Sequence, residues 1–269
     1  MPVYWFAISQ AENPDIEKSI WIFVILHLLI YPASNAYNSY FDKDEGSIGG
    51  LKNPPKVTRA LFQTAIRVDG LGFILALFLV DAGFGLGVFI YSMVSRAYSY
   101  DKIRLKKYPI LSWLIVGLFQ GAFTYLIVYH YSQFTGFDFA YLLSDSSILL
   151  AALASSIMLW AVYPLTQVYQ HVQDAANGDQ TLSILLGIKG TFLFSMISFA
   201  VGFLCYYFYF DWDTFLIFLA FNIPSFVFFN WWIFKVFQNE SNANFKNTML
   251  MNVLASLCLN LFYLWLVIQ

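Results

Sequence analysis

Residues 18–46 read KSIWIFVILHLLIYPASNAYNSYFDKDEG, a long apolar run that ends in a cluster of amides and carboxylates. The apolar part suffices to cross a bilayer, because a membrane helix needs about 20 apolar residues. Carboxylates are costly at the edge of a bilayer, and those found there commonly belong to functional sites. The stretch therefore predicts a membrane helix with a polar site at its end.

The rest of the chain has the composition of a membrane protein. Hydrophobic residues make up 59% of its 269 residues and charged residues 11%, whereas soluble domains carry about 25% charged residues. The apolar runs are continuous rather than alternating, which favours helices over a membrane β-barrel. We predict an all-α, polytopic transmembrane helix bundle that forms a single domain over residues 1–269, around a central cavity open to the cytoplasmic face.

Eight apolar segments qualify as membrane spans, to within a few residues at each end. They are residues 18–38, 60–80, 82–99, 109–131, 146–169, 187–210, 214–236 and 248–268. The opening stretch MPVYWFAISQ is apolar but too short to span. We expect it to form an interfacial helix or a reduced ninth span.

The basic residues orient these spans. Lys and Arg cluster in the loops after the first and third segments, whereas the loops on the opposite side carry mainly Asp. By the positive-inside rule the basic face is cytoplasmic, and both acidic motifs described below lie on it. We therefore expect an integral protein of a cell membrane, the bacterial inner membrane, with the lipid bilayer and no nucleic acid as partner.

The first polar motif places three oxygen-bearing side chains on one helix face. Asn35, Asn38 and Asp42 recur at spacings of three and four residues, which stacks them on the same side of a helix. Amide and carboxylate oxygens suit Mg²⁺, which takes one or two protein carboxylates and completes its shell with water and substrate phosphates. Asp44 extends the negative charge into the following loop. The motif predicts a magnesium site, with an ordinary solvated helix end as the alternative.

A second acidic motif, QHVQDAANGD at residues 170–179, follows the fifth segment. It supplies Asp174, with Asn177 and Asp179 close by. Two carboxylate sites brought together in a bundle form a two-metal clamp for a diphosphate. The motif predicts that Asp174 shares a site with the carboxylate of the first motif.

Basic residues on the same face are candidate phosphate ligands. The loop YSYDKIRLKK after the third segment carries Lys102, Arg104 and Lys106. Arg and Lys both bind phosphate oxygens, Arg in a bidentate manner, although topology alone also produces basic cytoplasmic loops. Arg67 lies in the second segment near Asp69, and the sequence allows either a phosphate contact or an ion pair between the two.

Together these motifs resemble those of the UbiA-type intramembrane prenyltransferases. The first motif matches the family's Asn-x-x-x-Asp pattern, the second matches its later Asp-rich motif, and the basic loop resembles the YS-x4-RLK loop of the menaquinone and chlorophyll branches. The matching stretches are Asn38-x-x-x-Asp42, DAANGDQTL at 174–182 and YSYDKIRLK at 98–106. The resemblance covers nearly the whole chain, with the motifs in the right order.

The resemblance implies a transferase that uses a polyprenyl diphosphate donor and Mg²⁺. It implies that Asp42 and Asp174 are catalytic and that they hold the metal together with Asn38 and Asp44. The residues implied for the diphosphate are Lys102, Arg104 and Lys106, and Arg67 and Tyr98 are further candidates. The expected acceptor is a small molecule, an aromatic ring or an isoprenoid-compatible alcohol of a lipid-quinone or related pathway.

The chain departs from the family's pattern at two positions. Gly46 stands where the first motif often has a further Asp, and Gln170 stands where the second motif usually begins with Asp. The family normally has nine helices, so either the first helix is reduced or the start of the chain is missing. The alternative these departures suggest is a degenerate member that binds a prenyl lipid without turnover. A transporter predicts repeated halves, and no internal repeat is evident.

Overall fold

The computed structural model describes residues 1–43, 47, 50–136 and 138–269, and these residues form helices joined by short loops. The helices are α1 (Pro2–Gln10), α2 (Ile16–Asp42), α3 (Arg59–Leu79), α4 (Ala82–Ser99), α5 (Pro109–Tyr131), α6 (Phe139–Ser144), α7 (Ser146–Gln167), α8 (His171–Ala176), α9 (Leu182–Tyr209), α10 (Trp212–Gln238) and α11 (Phe245–Ile268). The predicted all-α membrane bundle is confirmed.

Seven helices of the described chain are long and apolar enough to cross a membrane: α2, α3, α5, α7, α9, α10 and α11. The remaining predicted span, residues 82–99, is also a helix, α4, with 18 residues, but it falls outside that set. It carries Arg96, whose guanidinium contacts the carboxylate of Asp69 on α3. A charge inside a membrane bundle is tolerated when it is paired in this way.

The short helix α1 lies inside the bundle rather than at an interface. Phe6 is fully buried and its ring stacks on that of Tyr263, with a centroid distance of 4.8 Å. The centroid of the Tyr125 ring lies 5.1 Å from that of Phe6. This stretch is therefore part of the bundle, with apolar side chains buried against α5 and α11.

Interruptions in α2 and α9 shape two of the helices that reach the polar end of the bundle. In α2 the residues Ile25–Ile30 form a π-helical turn, followed by Pro32, which has no N–H to donate to the preceding turn. The helix then ends at Asp42, where Lys43 adopts a left-handed conformation with φ 51°. In α9, Gly187 has φ 68° and ψ 170°, so the helix begins at Leu182 and bends where the sequence predicted its start.

Candidate functional site

A polar chamber lies at the end of the bundle where α2, the loop after α4, α7 and α8 meet. Its volume is about 560 Å³. Asn38 and Asp42 of α2 line it together with Asp174 of α8, Tyr98 of α4 and Lys106 of the loop. The structure thus brings side chains of all three sequence motifs to one cavity.

A cluster of ion pairs borders the chamber. The ammonium Nζ of Lys106 lies 2.7 Å from Oδ1 of Asp42 and 2.8 Å from Oδ2 of Asp179. The same carboxylate of Asp179 accepts hydrogen bonds from Nε and Nη2 of Arg104, at 2.8 and 3.0 Å. The Asp179 side chain is 1% exposed, and a carboxylate at that depth requires such partners, since an unpaired buried charge is very costly.

The local backbone explains how these charges come together. The amide N–H groups of Ile103 and Arg104 both donate to the carbonyl of Tyr100, at 2.9 and 2.7 Å. Arg104 itself has φ 44°, so the chain turns back sharply and directs the loop towards α8. Gly178, with φ 73°, makes the corresponding turn after α8 and positions Asp179. The hydrogen bonds to Asp179 raise the pKa of the Arg104 guanidinium above its ordinary value.

A second, mostly apolar chamber of about 610 Å³ adjoins the first. The two chambers share five lining residues: Asn35, Asn38, Tyr98, Tyr163 and Thr166. The hydroxyl groups of Tyr98 and Tyr163 contact each other directly. This tyrosine pair therefore lies at the boundary between a charged cavity and an apolar one.

The residues of the polar chamber fit a magnesium ion. The carbonyl oxygen Oδ1 of Asn38 is buried and has no hydrogen-bond partner within the described part of the chain, as expected of an oxygen available to a ligand. The described residues contain no group of three His, Cys, Asp or Glu that could hold a metal. Mg²⁺ does not require one, because it usually binds one or two carboxylates and keeps several waters and phosphate oxygens. An ion bound at Asp42 would share the carboxylate with Lys106 or displace it.

The other predicted site residues lie elsewhere. Lys102 is exposed and, like Arg104, is not among the chamber's lining residues. Arg67 is exposed as well, and Asp69 accepts a 2.6 Å hydrogen bond from Ser92 and pairs with Arg96 instead. Asp44, like Glu45 and Gly46, falls outside the described residues.

Two residues that the sequence did not assign to the site are central to its geometry. Asp179 contacts both Arg104 and Lys106. The sequence signal that could have identified Asp179 is the Gly178-Asp179 pair at the end of the second motif. Tyr163 lines both chambers, and nothing in the sequence separates it from the chain's many other aromatic residues.

Comparison with known proteins identifies the family of this chain. The chain matches the UbiA prenyltransferase family over residues 1–262, and it belongs to that family. No protein of curated function matches the chain. The family assignment confirms the resemblance carried by the three motifs.

Solved structures with the same fold include a UbiA homolog from Archaeoglobus fulgidus bound to DMAPP and Mg²⁺. Its sequence is 12% identical to this one, the TM-score is 0.68, and the alignment covers 99% of this chain and 93% of the homolog. The apo structure of a UbiA homolog from Aeropyrum pernix K1 is 15% identical, with a TM-score of 0.66 and 94% of each chain covered. A digeranylgeranylglyceryl phosphate synthase is 16% identical, with a TM-score of 0.59, and covers 100% of this chain and 92% of its own. At these identities the likeness establishes the fold.

Proposed function

We propose that this protein transfers a polyprenyl group from a prenyl diphosphate to a small-molecule acceptor, with Mg²⁺ assisting the departure of diphosphate. The observation that carries the proposal is the pair of adjoining chambers, one charged and one apolar, which meet at Tyr98 and Tyr163. A prenyl diphosphate has the same division between a charged head and an apolar tail. Its reacting carbon would then lie near the boundary.

The polar chamber would hold the diphosphate. Asn38, Asp42 and Asp174 would supply the oxygen ligands for Mg²⁺, and the bound ion would supply positive charge to balance the negative charge of the departing diphosphate. Lys106 lines the same chamber and adds a fixed positive charge beside it. The ammonium of Lys106 is held by Asp42 and Asp179 before the substrate arrives, and charge positioned in advance stabilises a transition state most effectively.

The apolar chamber would hold the prenyl chain and keep water from the reacting carbon. Its walls include Ile115, Val116, Phe119, Met158 and Leu159. The ring faces of the tyrosine pair at the boundary can stabilise an allylic cation, since aromatic faces attract positive charge. Exclusion of water matters because water would compete with the acceptor for the cation.

The acceptor is proposed to be an aromatic ring or another acceptor of lipid-quinone or related synthesis. The protein is proposed to lie in a bacterial inner membrane with the polar chamber on the cytoplasmic side, which the distribution of Lys and Arg in the sequence supports. The bilayer would then supply apolar substrates from the side, and the cytoplasm would receive the diphosphate.

A catalytically degenerate prenyl-lipid-binding protein is the second candidate. The observations that favour it are Gln170, in place of a carboxylate, and the direct pairing of Lys106 with Asp42 at 2.7 Å. Both reduce the negative charge available to a metal. On this alternative the chambers bind a prenyl diphosphate without releasing diphosphate from it.

Release of diphosphate by the purified protein separates the two. Geranylgeranyl diphosphate and a longer prenyl diphosphate are supplied with a membrane lipid extract, with Mg²⁺ or with a chelator, and products are identified by mass spectrometry. The transferase predicts Mg²⁺-dependent release and a new prenylated lipid, lost in Asp42→Asn and in Asp174→Asn but kept in Asp213→Asn, an exposed acid remote from the chamber. Donor binding without release from any donor would favour the degenerate protein.

A further inference from the structure

Arg104 and Lys106, two basic residues of the loop after α4, differ in their contacts. Each of the three guanidinium nitrogens of Arg104 already has a carboxylate partner: Nε and Nη2 bond to Asp179, and Nη1 lies 3.3 Å from Asp101. Lys106 has two carboxylate partners, Asp42 and Asp179, which leaves its ammonium a donor to spare. Lys106 also lines the polar chamber, whereas Arg104 does not.

Asp179 is the residue that couples the two. Its Oδ2 accepts from Nη2 of Arg104 at 3.0 Å and contacts Nζ of Lys106 at 2.8 Å. It sits on the turn between α8 and α9, so it ties the loop after α4 to a separate part of the bundle. A planar guanidinium held by two parallel hydrogen bonds has a fixed orientation. The bonds from Arg104 to Asp179 therefore also fix the position of the residues that follow Arg104, including Lys106.

We infer that Asp179 and Arg104 form a positioning clamp whose task is to present the Lys106 ammonium to the diphosphate of the substrate. The inference rests on the proposed function, because it assigns the charge that meets the diphosphate to Lys106. Arg104 then serves the site through the position of the loop and not through contact with phosphate. This differs from the sequence-based expectation, in which Arg104 itself was a phosphate ligand.

The inference predicts an effect opposite in sign to that of simple charge. Asp179→Asn removes a negative charge next to an anion site, which by Coulomb's law alone would strengthen diphosphate binding. If Asp179 acts by positioning, the same change weakens its two hydrogen bonds from Arg104 and its contact with Lys106. Diphosphate binding then weakens. We expect the Kd for diphosphate to rise about tenfold, the value of one charge-assisted hydrogen bond.

The experiment measures binding of inorganic pyrophosphate, in the presence of Mg²⁺, to the full-length protein in nanodiscs. The variants are Asp179→Asn, Lys106→Met and the double variant, with Asp101→Asn as the matched control. Asp101 also contacts Arg104, but its side chain is 65% exposed, so its removal should change the Kd by less than about twofold. Because the clamp acts through Lys106, Asp179→Asn should have little further effect once Lys106 is replaced.

Tighter or unchanged pyrophosphate binding in Asp179→Asn, or full additivity with Lys106→Met, would overturn the inference while leaving the proposed function intact. Wild-type protein that does not bind pyrophosphate with Mg²⁺ would overturn both. If Asp179→Asn does not fold, Arg104→Lys takes its place, since lysine keeps the charge but lacks the fork. It should weaken binding in the same direction, and binding as tight as wild type would count against the clamp.

Discussion

Replacing Lys106 by methionine tests the central feature of the polar chamber, an ammonium group that shares a carboxylate with the expected metal. Methionine keeps the apolar stem of the side chain and removes the charge. The Lys106 side chain is 10% exposed, and those of Asp42 and Asp179 are 15% and 1% exposed. The variant therefore leaves two shielded carboxylates with one cation fewer.

The size of the effect follows from the partners that remain. Asp179 keeps both hydrogen bonds from Arg104, whereas among the described residues the basic partner left to Asp42 is Nη2 of Arg104 at 4.0 Å. Removal of one partner from a buried ion pair costs about 3–5 kcal/mol, and because Asp179 stays compensated we expect about 2–3 kcal/mol in the absence of metal. Mg²⁺ can then occupy Asp42 without competition. At about 100 times its Kd it would restore roughly 2.7 kcal/mol.

The assay is the free energy of unfolding in mixed micelles, measured over a Mg²⁺ series and in chelator. Lys106→Met should be less stable than wild type in chelator and should gain more stability from Mg²⁺ than wild type does. Lys102→Met is the control, because Lys102 is an exposed lysine of the same loop outside the chamber lining. An equal Mg²⁺ gain in wild type and Lys106→Met would refute the idea that metal and ammonium compete for Asp42.

Three further predictions concern the boundary, the packing and the pH response of the bundle. Tyr163→Ala should open the boundary between the chambers and raise the ratio of free prenyl alcohol to prenylated acceptor, measured by chromatography, whereas Tyr163→Phe should keep that ratio near wild type because the ring remains. Gly121→Ala would place a Cβ 2.5 Å from Cα of Ser156 on α7 and should lower the unfolding free energy by about 1–3 kcal/mol, while Gly70→Ala, where nothing lies within 4 Å, should not; an equal loss in both would contradict the packing argument. Burial lowers the pKa of His171, and the nearby charge of Glu240 opposes this shift. The neutral imidazole therefore contributes stability at pH values above the unfolded-state pKa of about 6.5. That stability is lost as the pH falls towards the folded-state pKa. His171→Gln should flatten that part of the stability curve, and an unchanged acid dependence would exclude His171 as its source.

The sequence predicted the helices well because each membrane span must be apolar over its whole length. It also predicted which motifs meet, since Asn38, Asp42, Asp174 and Lys106 all lie at the same end of the spans and all line the chamber. The sequence did not predict which basic residue of the loop lines the chamber and which one pairs with Asp179 from outside it. Lys102, Arg104 and Lys106 are equivalent as sequence, and only the left-handed turn at Arg104 decides which of them faces the cavity.

The position of Arg67 shows a different limit. A charge within an apolar segment predicts a polar neighbourhood, but it does not say which helix supplies the partner. The structure pairs Asp69 with Arg96 of α4, and Arg67 is exposed. The contact between Tyr163 and Tyr98 at the boundary of the two chambers could not be predicted from the sequence either, because it joins helices that are far apart in sequence.

Gln170 shows how this chain holds its site together with one carboxylate fewer than the family's second motif usually has. Three carboxylates, Asp42, Asp174 and Asp179, already line the chamber with one ammonium, Lys106, and a further carboxylate would add repulsion at this point. The amide of Gln170 instead donates from Nε2 to the carbonyl of Ser47 at 3.3 Å, a bond that an aspartate cannot make because it has no N–H. Gln170 thus links the loop after α2 to the segment that carries Asp174 without adding charge. This hydrogen bond ties the two acidic motifs to each other, and Asn38, Asp42 and Asp174 line the same chamber.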